Sequence, residues 1–311
     1  MSISNQSQTP PILFIVFNRL ETVKRTLEAI KKVSPKQIFI SADGPRISHL
    51  GEDKACQAVR NYIIENIDWE CEVKTRFLEK NLGCKAAVSS AIDWFFSEVE
   101  EGIILEDDCL PGEDFFRYAT AALAFYRNIP SVMHINGTAI KTYVPNSNEC
   151  AYLYRYAHVW GWATWRRAWK LYDVNFKNFD SKKIYETFPN DKQQAKRWNE
   201  ILSNVISDKS GFNTWDFQWT YTIMTHKAWC VSPTHNLITN IGIDQSTHDM
   251  ENVASLLNTT TFKMPKVLNF PTSRNSQLLE IEQETYLKFY KKKNIISRIF
   301  SKISKIFLKL K

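Results

Sequence analysis

The chain has 311 residues, of which 44% are hydrophobic and 23% charged, an ordinary composition for a globular protein. Its formal net charge is +7, but nine basic residues and no acid fall within residues 288–311, which leaves 31 basic and 33 acidic residues elsewhere. Because the rest of the chain is slightly acidic, the composition argues against a protein that coats nucleic acid.

The N-terminal segment and the cysteines predict the cellular compartment. The first apolar run, Ile12–Phe17, is too short for a secretory signal or a membrane span, so we expect the chain to begin in the cytosol. The cysteines lack Cys-x-x-Cys spacing, which indicates reduced thiols and neither a zinc site nor a disulfide framework. They are Cys56, Cys71, Cys84, Cys109, Cys150 and Cys230.

Short apolar runs alternate with segments of helical period from Ile12 to Asn136. Strands that alternate with helices predict an α/β fold with a mainly parallel sheet and helices on both faces. The predicted order is strand Ile12–Phe17, helix Leu20–Lys32, strand Gln37–Ala42, helix Glu52–Ile67, strand Glu72–Leu78, helix Cys84–Val99, strand Gly102–Leu105, helix Glu113–Arg127 and strand Val132–Ile135.

The second half of the chain has a different pattern. An aromatic-rich region, 152–169, precedes helical segments at Lys182–Thr187 and Gln193–Ser207, and a further helix is predicted after Thr214, its expected N-cap. We expect two halves of one domain. The predicted boundaries are a flexible N-terminus at 1–10, the halves at 11–150 and 151–270, a linker at 271–287 and a basic helix at 288–311.

Polar residues follow the predicted strands at the edge where parallel sheets bind ligands. Phe17, Asn18 and Arg19 follow the first strand, and Asp43 follows the second. No glycine-rich dinucleotide or phosphate loop follows the first strand, so charges such as Arg19 and Lys85 would have to hold any phosphate. Either cation alone is also typical of a solvated surface, and Asp43 is also a common turn residue.

Three consecutive carboxylates, Glu106, Asp107 and Asp108, follow the fourth strand. They repel one another unless a cation screens them. A hard ion such as Mn²⁺ or Mg²⁺ would bind one or two of them and complete its shell with water and phosphate oxygens. The alternative is an acidic turn before a helix, but the position at the end of a strand favours the metal site.

The aromatic cluster suits a sugar platform at Trp160-Gly161-Trp162 and Trp215, whereas core packing at helical spacing would explain Trp165 and Trp169. Asp216 is a candidate general base or a first-turn helix acid. His248 lies in a polar segment and is a candidate contact to metal or diphosphate, although a surface histidine is the commoner case.

The chain resembles nucleotide-diphospho-sugar transferases of the GT-A fold, a Rossmann-like α/β fold. The resemblance rests on 11–19, Ile40-Ser-Ala-Asp43-Gly, Asn81-Leu-Gly83-Cys-Lys85, Ile104-Leu-Glu106-Asp107-Asp108, Trp160-Gly-Trp162-Ala-Thr-Trp165, Trp215-Asp216 and 240–248, within about residues 11 to 250. The order and spacing are similar to those of the Golgi N-acetylglucosaminyltransferase that initiates complex N-glycans and of bacterial enzymes of surface polysaccharide synthesis.

The resemblance implies an inverting glycosyltransferase with a UDP-sugar donor bound by the 11–150 half. Asp108 would bind Mn²⁺ or Mg²⁺ directly, and Glu106 and Asp107 would take the ribose and supporting roles. Asp43 would bind the uracil, Arg19 the diphosphate, and Asp216 would be the base. The Golgi enzyme has two acids where only Asp216 follows Trp215, and it has an N-terminal membrane anchor that this sequence lacks.

The basic segment 288–311 has apolar residues at three- and four-residue spacing with lysine, arginine and serine between them. This pattern predicts an amphipathic helix on an anionic membrane surface, although a helix docked on a protein remains the alternative. A glycan or lipid-linked acceptor would fit an enzyme at the inner face of the plasma membrane.

Two other functions remain open on the sequence. One is a membrane-associated sugar- or nucleotide-binding protein without turnover, against which the four acids at 106–108 and 216 count. The other is a sugar-nucleotide-forming nucleotidyltransferase, a class that usually has a glycine-rich loop with a basic residue after the first strand.

Overall fold

The computed structural model describes residues 8–140, 142–143, 148–207, 213–242, 260–274 and 278–290. Its elements in chain order are β1 Ile12–Val16, α1 Leu20–Lys31, β2 Gln37–Ala42, α2 Glu52–Asn66, β3 Glu72–Phe77, α3 Gly83–Glu98, β4 Glu101–Glu106, β5 Cys109–Pro111, α4 Phe115–Tyr126, β6 Val132–Asn136, β7 Ala151–Tyr154, β8 Trp162–Trp165, α5 Arg166–Trp169, α6 Ser181–Thr187, α7 Lys192–Ile206, α8 Asp216–Thr225, β9 Trp229–Pro233, β10 Ile238–Asn240 and α9 Leu278–Thr285, which continues as a π-helical turn, Tyr286–Tyr290.

One eight-stranded sheet runs through both halves of the chain, in the order β3-β2-β1-β4-β8-β6-β9-β7. Strands β1 to β4 are parallel, and β8 is antiparallel to both β4 and β6. A small second sheet joins β10 to β5 in antiparallel register. The strand β8 therefore fixes the second half of the chain directly against the strand that ends in Glu106.

The two faces of the sheet have separate cores. Alternate residues of β1 point to opposite faces, as expected for a strand, so that Ile12 and Phe14 pack in one cluster and Leu13 in the other. Helices α1, α2 and α4 cover the first face, and α3, α5 and α8 cover the second. The prediction of an α/β fold with helices on both faces is confirmed.

A third, aromatic cluster lies beyond the edge of the sheet. It joins β7 to α6, α7 and the C-terminal segment Leu278–Tyr290. The Tyr290 ring lies 4.3 Å from that of Trp198 and 5.4 Å from that of Tyr156, measured between centroids. Within the described residues, no helix has the length and apolar composition needed to cross a bilayer.

Trp165 and Trp169 are buried in the core, as expected, but in the clusters on opposite faces of the sheet, because Trp165 ends strand β8 and Trp169 ends helix α5. One local prediction for the aromatic half is wrong. Thr214 is not the N-cap of α8, because Trp215 takes that position and the Thr214 hydroxyl donates to the Asp216 side chain. The basic residues 291–311 lie outside the described part of the chain.

Candidate active site

The acids after β4 divide between the two faces of the sheet. Because successive side chains of a strand point in opposite directions, Glu106 continues the row of Ile104, on the face covered by α3 and α8. Asp107 lies on the α1 side, where the Thr26 hydroxyl donates to its carbonyl oxygen at 3.0 Å. The end of one strand thus presents carboxylates in two directions.

Arg19, the residue before α1, pairs with two of the acids that follow β4. Its Nη2 donates to Asp108 Oδ2 at 3.0 Å and forms a second, short ion pair with Asp107 Oδ1. The Asp107 side chain is 3% exposed and that of Asp108 is 17% exposed, so Asp108 is the more accessible of the two. The other oxygen of Asp107, Oδ2, is buried without a hydrogen-bond partner.

Gly242 closes this site on the side of the small sheet. The register of β10 against β5 carries the chain past Asp108, whose carbonyl accepts from the Ile241 N–H at 2.8 Å. A Cβ at position 242 would lie 2.5 Å from both Asp108 Oδ2 and Arg19 Nη1. Only a residue without a side chain allows the backbone to pass this close to the carboxylate.

Asp216 lies in the first turn of α8, directly after Trp215, whose ring stacks on Trp162, the partner of Ile104 in β4. Its charge is one of the influences on Glu106 and on the Cys84 thiol, which lies at the start of α3. Asp216 is half-buried and accepts from the Thr214 hydroxyl. The structure therefore brings together Glu106 and Asp216, which are distant in sequence and come from different halves of the chain.

The pKa values reflect this crowding of acids. Burial first, and then the charges of Asp108 and Asp107, raise the pKa of Glu106 well above its ordinary value. Burial also raises the pKa of Asp107, to about 6, although the positive charge of Arg19 opposes the shift. A cation or hydrogen-bond donor from a ligand would therefore stabilise the ionised form of these groups.

Asp43 lies at the end of β2 and holds the loop that begins α3. Its carboxylate accepts from the backbone N–H groups of Gly44, Leu82 and Gly83 at 2.8 to 3.1 Å and from the Asn81 amide at 3.0 Å. These four hydrogen bonds use the acceptor capacity of the group. In this structure the side chain anchors a loop, and contact with a uracil stays a prediction.

The loop after β1 is held by Glu52, at the start of α2. The Asn18 amide donates to Glu52 at 2.9 Å, and the Arg46 backbone and guanidinium donate to the same carboxylate. The Arg46 guanidinium also lies over the Phe17 ring, 5.6 Å from its centroid. The hydrogen bonds from Arg46 lower the pKa of Glu52 to about 2, because their effect is larger than the opposing effect of burial.

Lys85 lies in the first turn of α3, and its backbone N–H donates to the Asn213 side chain at 3.0 Å. Asn213 also packs on Gly83, where a Cβ would meet its amide nitrogen at 2.4 Å. These contacts connect the start of α3 with the segment that precedes Asp216.

The predicted sugar-contact residues differ in accessibility. Trp162 is fully buried between His134 and Trp215, with ring centroids 4.9 and 5.7 Å away, and Trp215 is 3% exposed. Their burial argues against contact with a sugar and assigns both rings to the core. Trp160 is half-buried, and Gly161 makes the turn into β8 at φ +63°.

The residues at Asp108 fit a metal shared with a ligand better than a closed protein cage. Within the described ranges, no three histidine, cysteine, aspartate or glutamate side chains form a metal-binding group. Asp108 offers accessible carboxylate oxygen, the ligand type that Mg²⁺ and Mn²⁺ prefer, and such sites often take their other ligands from water and phosphate. The other predicted metal contact, His248, lies outside the described residues.

No protein-family model matches the chain, and no curated protein matches its sequence. Solved structures with a similar arrangement include a mannosyltransferase from Pyrobaculum calidifontis in complex with GDP-mannose and Mn²⁺, at 12% identity and TM-score 0.37, over 71% of this chain and 70% of that one. A UDP-glucose pyrophosphorylase complexed with UDP-glucose is 10% identical at TM-score 0.40, over 81% and 98% of the two chains. A cytidylyltransferase from Leptospira borgpetersenii is 10% identical at TM-score 0.34, over 93% and 99%. Similarity this low does not support an inference of activity.

Some residues of the site were missed in the sequence. Gly242, Glu52 and Asn213 contact candidate site residues, yet each lies far along the chain from its partner. Gly242 was the most detectable, since a glycine beside a short apolar run often marks a close backbone approach. The other two are polar residues that no local pattern distinguishes from solvated ones.

Proposed function

We propose that this chain is a metal-dependent, inverting glycosyltransferase that uses a nucleotide-diphosphate sugar, with a UDP-sugar as the favoured donor. The observation that carries the proposal is the stack of the Trp215 ring on Trp162, 5.7 Å between centroids, which holds the start of α8, and so Asp216, beside the strand β4 that ends in Glu106. Sugar transfer to a hydroxyl requires donor-side acids and a base near one another.

In the proposed reaction, Asp216 accepts the proton of an acceptor hydroxyl while that oxygen attacks the anomeric carbon. The diphosphate leaves from the opposite face of the sugar, so the configuration inverts. Arg19 donates to the departing diphosphate, and Glu106 and Asp107 support the ribose side. A bound Mn²⁺ or Mg²⁺, held by Asp108, would supply electrostatic stabilisation of the leaving group.

Calorimetric titration tests the donor site. We expect a uridine diphosphate or UDP-sugar to bind in the presence of Mn²⁺, and Asp108→Asn to weaken that binding by at least about tenfold, or about 1.4 kcal/mol. Asp53→Asn, an exposed acid in α2, is the matched control and should leave the affinity unchanged. If none of a panel of nucleotides binds with either metal, a non-catalytic protein becomes the better proposal.

Product analysis separates the two transferase classes. A glycosyltransferase releases a nucleoside diphosphate from the donor, whereas a nucleotidyltransferase that forms a sugar nucleotide releases pyrophosphate. We expect a nucleoside diphosphate, and Asp216→Asn should slow its release by at least about 100-fold while donor affinity is retained. Pyrophosphate as the product would refute the glycosyl-transfer proposal.

We also propose that the basic segment predicted at 288–311, in its part beyond Tyr290, holds the enzyme on the inner face of the plasma membrane, near a glycan or lipid-linked acceptor. The support is the sequence of residues 291–311, in which eight basic residues lie among apolar residues and there is no acid. When the protein is sedimented with anionic vesicles, the full chain should pellet with them, and a chain that lacks 291–311 should stay in the supernatant. Equal pelleting of both would refute this anchor.

A further inference from the structure

The contact between Arg19 and the two aspartates places a protein cation at the oxygen proposed to bind metal. Arg19 Nη2 lies 3.0 Å from Asp108 Oδ2 and also pairs with Asp107 Oδ1. The arginine side chain is 25% exposed, so the pair is only partly screened by water. Arg19 is therefore positioned to neutralise both carboxylates without any other ion.

We propose that Arg19 is an exchangeable counter-cation, which neutralises Asp107 and Asp108 in the metal-free protein and gives up Asp108 when the divalent ion binds. This inference rests on the proposed role of Asp108 in metal binding. An ion bound directly to Asp108 Oδ2 would place its two positive charges close to a guanidinium on the same oxygen, and like charges at that separation repel. The two cations thus compete for one carboxylate.

The surroundings of Arg19 limit this exchange to a rotation of its side chain. The Arg19 backbone is fixed, because its carbonyl accepts from the Thr22 hydroxyl at 3.0 Å and from the Val23 N–H at 3.1 Å as α1 begins. Asp107 is buried and needs a partner, so it retains the guanidinium. Gly242 leaves no room for retreat towards β10. The N–H groups released from Asp108 become available to a diphosphate.

Competition gives Arg19 a thermodynamic signature that distinguishes it from a residue that builds the metal site. Loss of a supporting residue would lower both the stability of the metal-free protein and its affinity for the metal. Loss of a competing cation would destabilise the metal-free protein, because the acids lose their partner, but would strengthen binding of the metal alone. The two effects of one substitution should therefore have opposite signs.

The test is Arg19→Met, which keeps an unbranched apolar stem and removes the guanidinium charge. Binding of MnCl2 alone, without nucleotide, would be measured by the electron paramagnetic resonance signal of free Mn²⁺, and stability by thermal unfolding in EDTA. We expect Mn²⁺ to bind the variant at least about fivefold more tightly than the wild type, with a lower melting temperature in EDTA. Arg127→Met is the control, because Arg127 pairs with Glu101 at the opposite end of β4.

Each outcome has a separate meaning. Equal or weaker Mn²⁺ binding by Arg19→Met, with measurable binding by the wild type, overturns the exchange and leaves the metal site intact. Absence of Mn²⁺ binding in both proteins overturns the metal role of Asp108 and the exchange together. Binding by the variant alone supports the exchange most strongly.

A measurement on the wild type covers the case in which Arg19→Met does not fold. The side-chain Nε–Hε signal of Arg19, assigned with Arg19→Lys, would be followed by nuclear magnetic resonance during titration with MgCl2. We expect this signal to shift as one contact is lost, while the Arg127 signal stays constant. An unchanged Arg19 signal at saturating Mg²⁺ overturns the proposal.

Discussion

Gly242 passes close to the carboxylate proposed to bind metal. A methyl group at this position would meet Asp108 on one side and Arg19 on the other, both at 2.5 Å. In the metal-free protein the ion pair holds the two groups together, so a methyl group would have to separate them. The absence of a side chain at residue 242 is therefore a requirement of the site.

Gly242→Ala should lower Mn²⁺-dependent donor affinity by at least about tenfold and destabilise the protein by roughly 1–3 kcal/mol, as overpacking does. Gly51→Ala is the comparison, since Gly51 has φ +82° but open space around it. That variant should cost about 1 kcal/mol of backbone strain and leave donor affinity unchanged. Calorimetry and urea unfolding measure both effects, and an unaltered affinity in Gly242→Ala would contradict the close approach.

Glu106 makes the stability of the metal-free protein depend on pH. Its pKa is raised in the folded state, so its contribution to the free energy of unfolding is complete below the usual pKa near 4.5 and is lost as pH rises through the higher folded value. The glutamine of Glu106→Gln cannot ionise. The free energy of unfolding of this variant, relative to that of the wild type, should therefore increase by on the order of 2 kcal/mol between pH 4.5 and 8 in EDTA. A constant difference across this range would contradict the raised pKa.

At the scale of elements, Asp43 links β2 to the start of α3. Four donors from residues 44 and 81–83 converge on its carboxylate, two of them backbone N–H groups at the N-terminal end of the helix. This is also where a helix favours negative charge. Asp43 thus fixes the start of α3, the helix that carries Cys84 and Lys85 in its first turn.

Asp43→Ala should reduce the free energy of unfolding by about 1–3 kcal/mol, because several partly buried donors lose a charged acceptor. The exposed Glu65 supplies the control, and Glu65→Ala should change stability by no more than about 0.5 kcal/mol. Urea denaturation would measure both. A loss in Asp43→Ala as small as that of the control would show that the loop is held by other contacts.

The sequence predicted the first half of the sheet well and the second half poorly, for a physical reason. Strands β1 and β2 alternate with amphipathic helices, and the predicted bounds differ from those observed by at most one residue. Strand β8, Trp162–Trp165, is buried on both faces, so it has no alternation to reveal it. Strands β5 and β10 have three residues each, too few for a pattern.

The same distinction applies to the site. The position of Glu106-Asp107-Asp108 follows from the end of a predictable strand. The pairing of Arg19 with those acids and the approach of Gly242 require the tertiary fold, because no local pattern specifies contacts between distant segments.

At the scale of the whole molecule, the C-terminal segment completes the aromatic cluster. Ile281 and Tyr286 are each 7% exposed, and Glu282 pairs with Arg274 and lies 3.7 Å from Arg155. The guanidinium groups of both arginines lie over the Trp229 ring. Residues 278–290 therefore belong to the folded body.

Removal of 278–311 should lower the free energy of unfolding by several kcal/mol, on the order of 3 or more, because the apolar surface of the cluster would face water. Removal of 291–311 alone should lower it less, because it leaves in place the cluster contacts of residues 278–290. Urea unfolding of the two truncated chains and the full chain measures the difference. Equal stability of the two truncated chains would refute the structural role of 278–290.

The stack of Trp162 on Trp215 has a consequence for the spacing of the two acids to which we assign the reaction. Trp162 pairs with Ile104, two residues before Glu106, and Trp215 immediately precedes Asp216. The separation between Glu106 and Asp216, the proposed donor-side acid and base, thus depends on two indole rings in the core. A substitution that shifts either ring would change the distance across which the proposed transfer takes place.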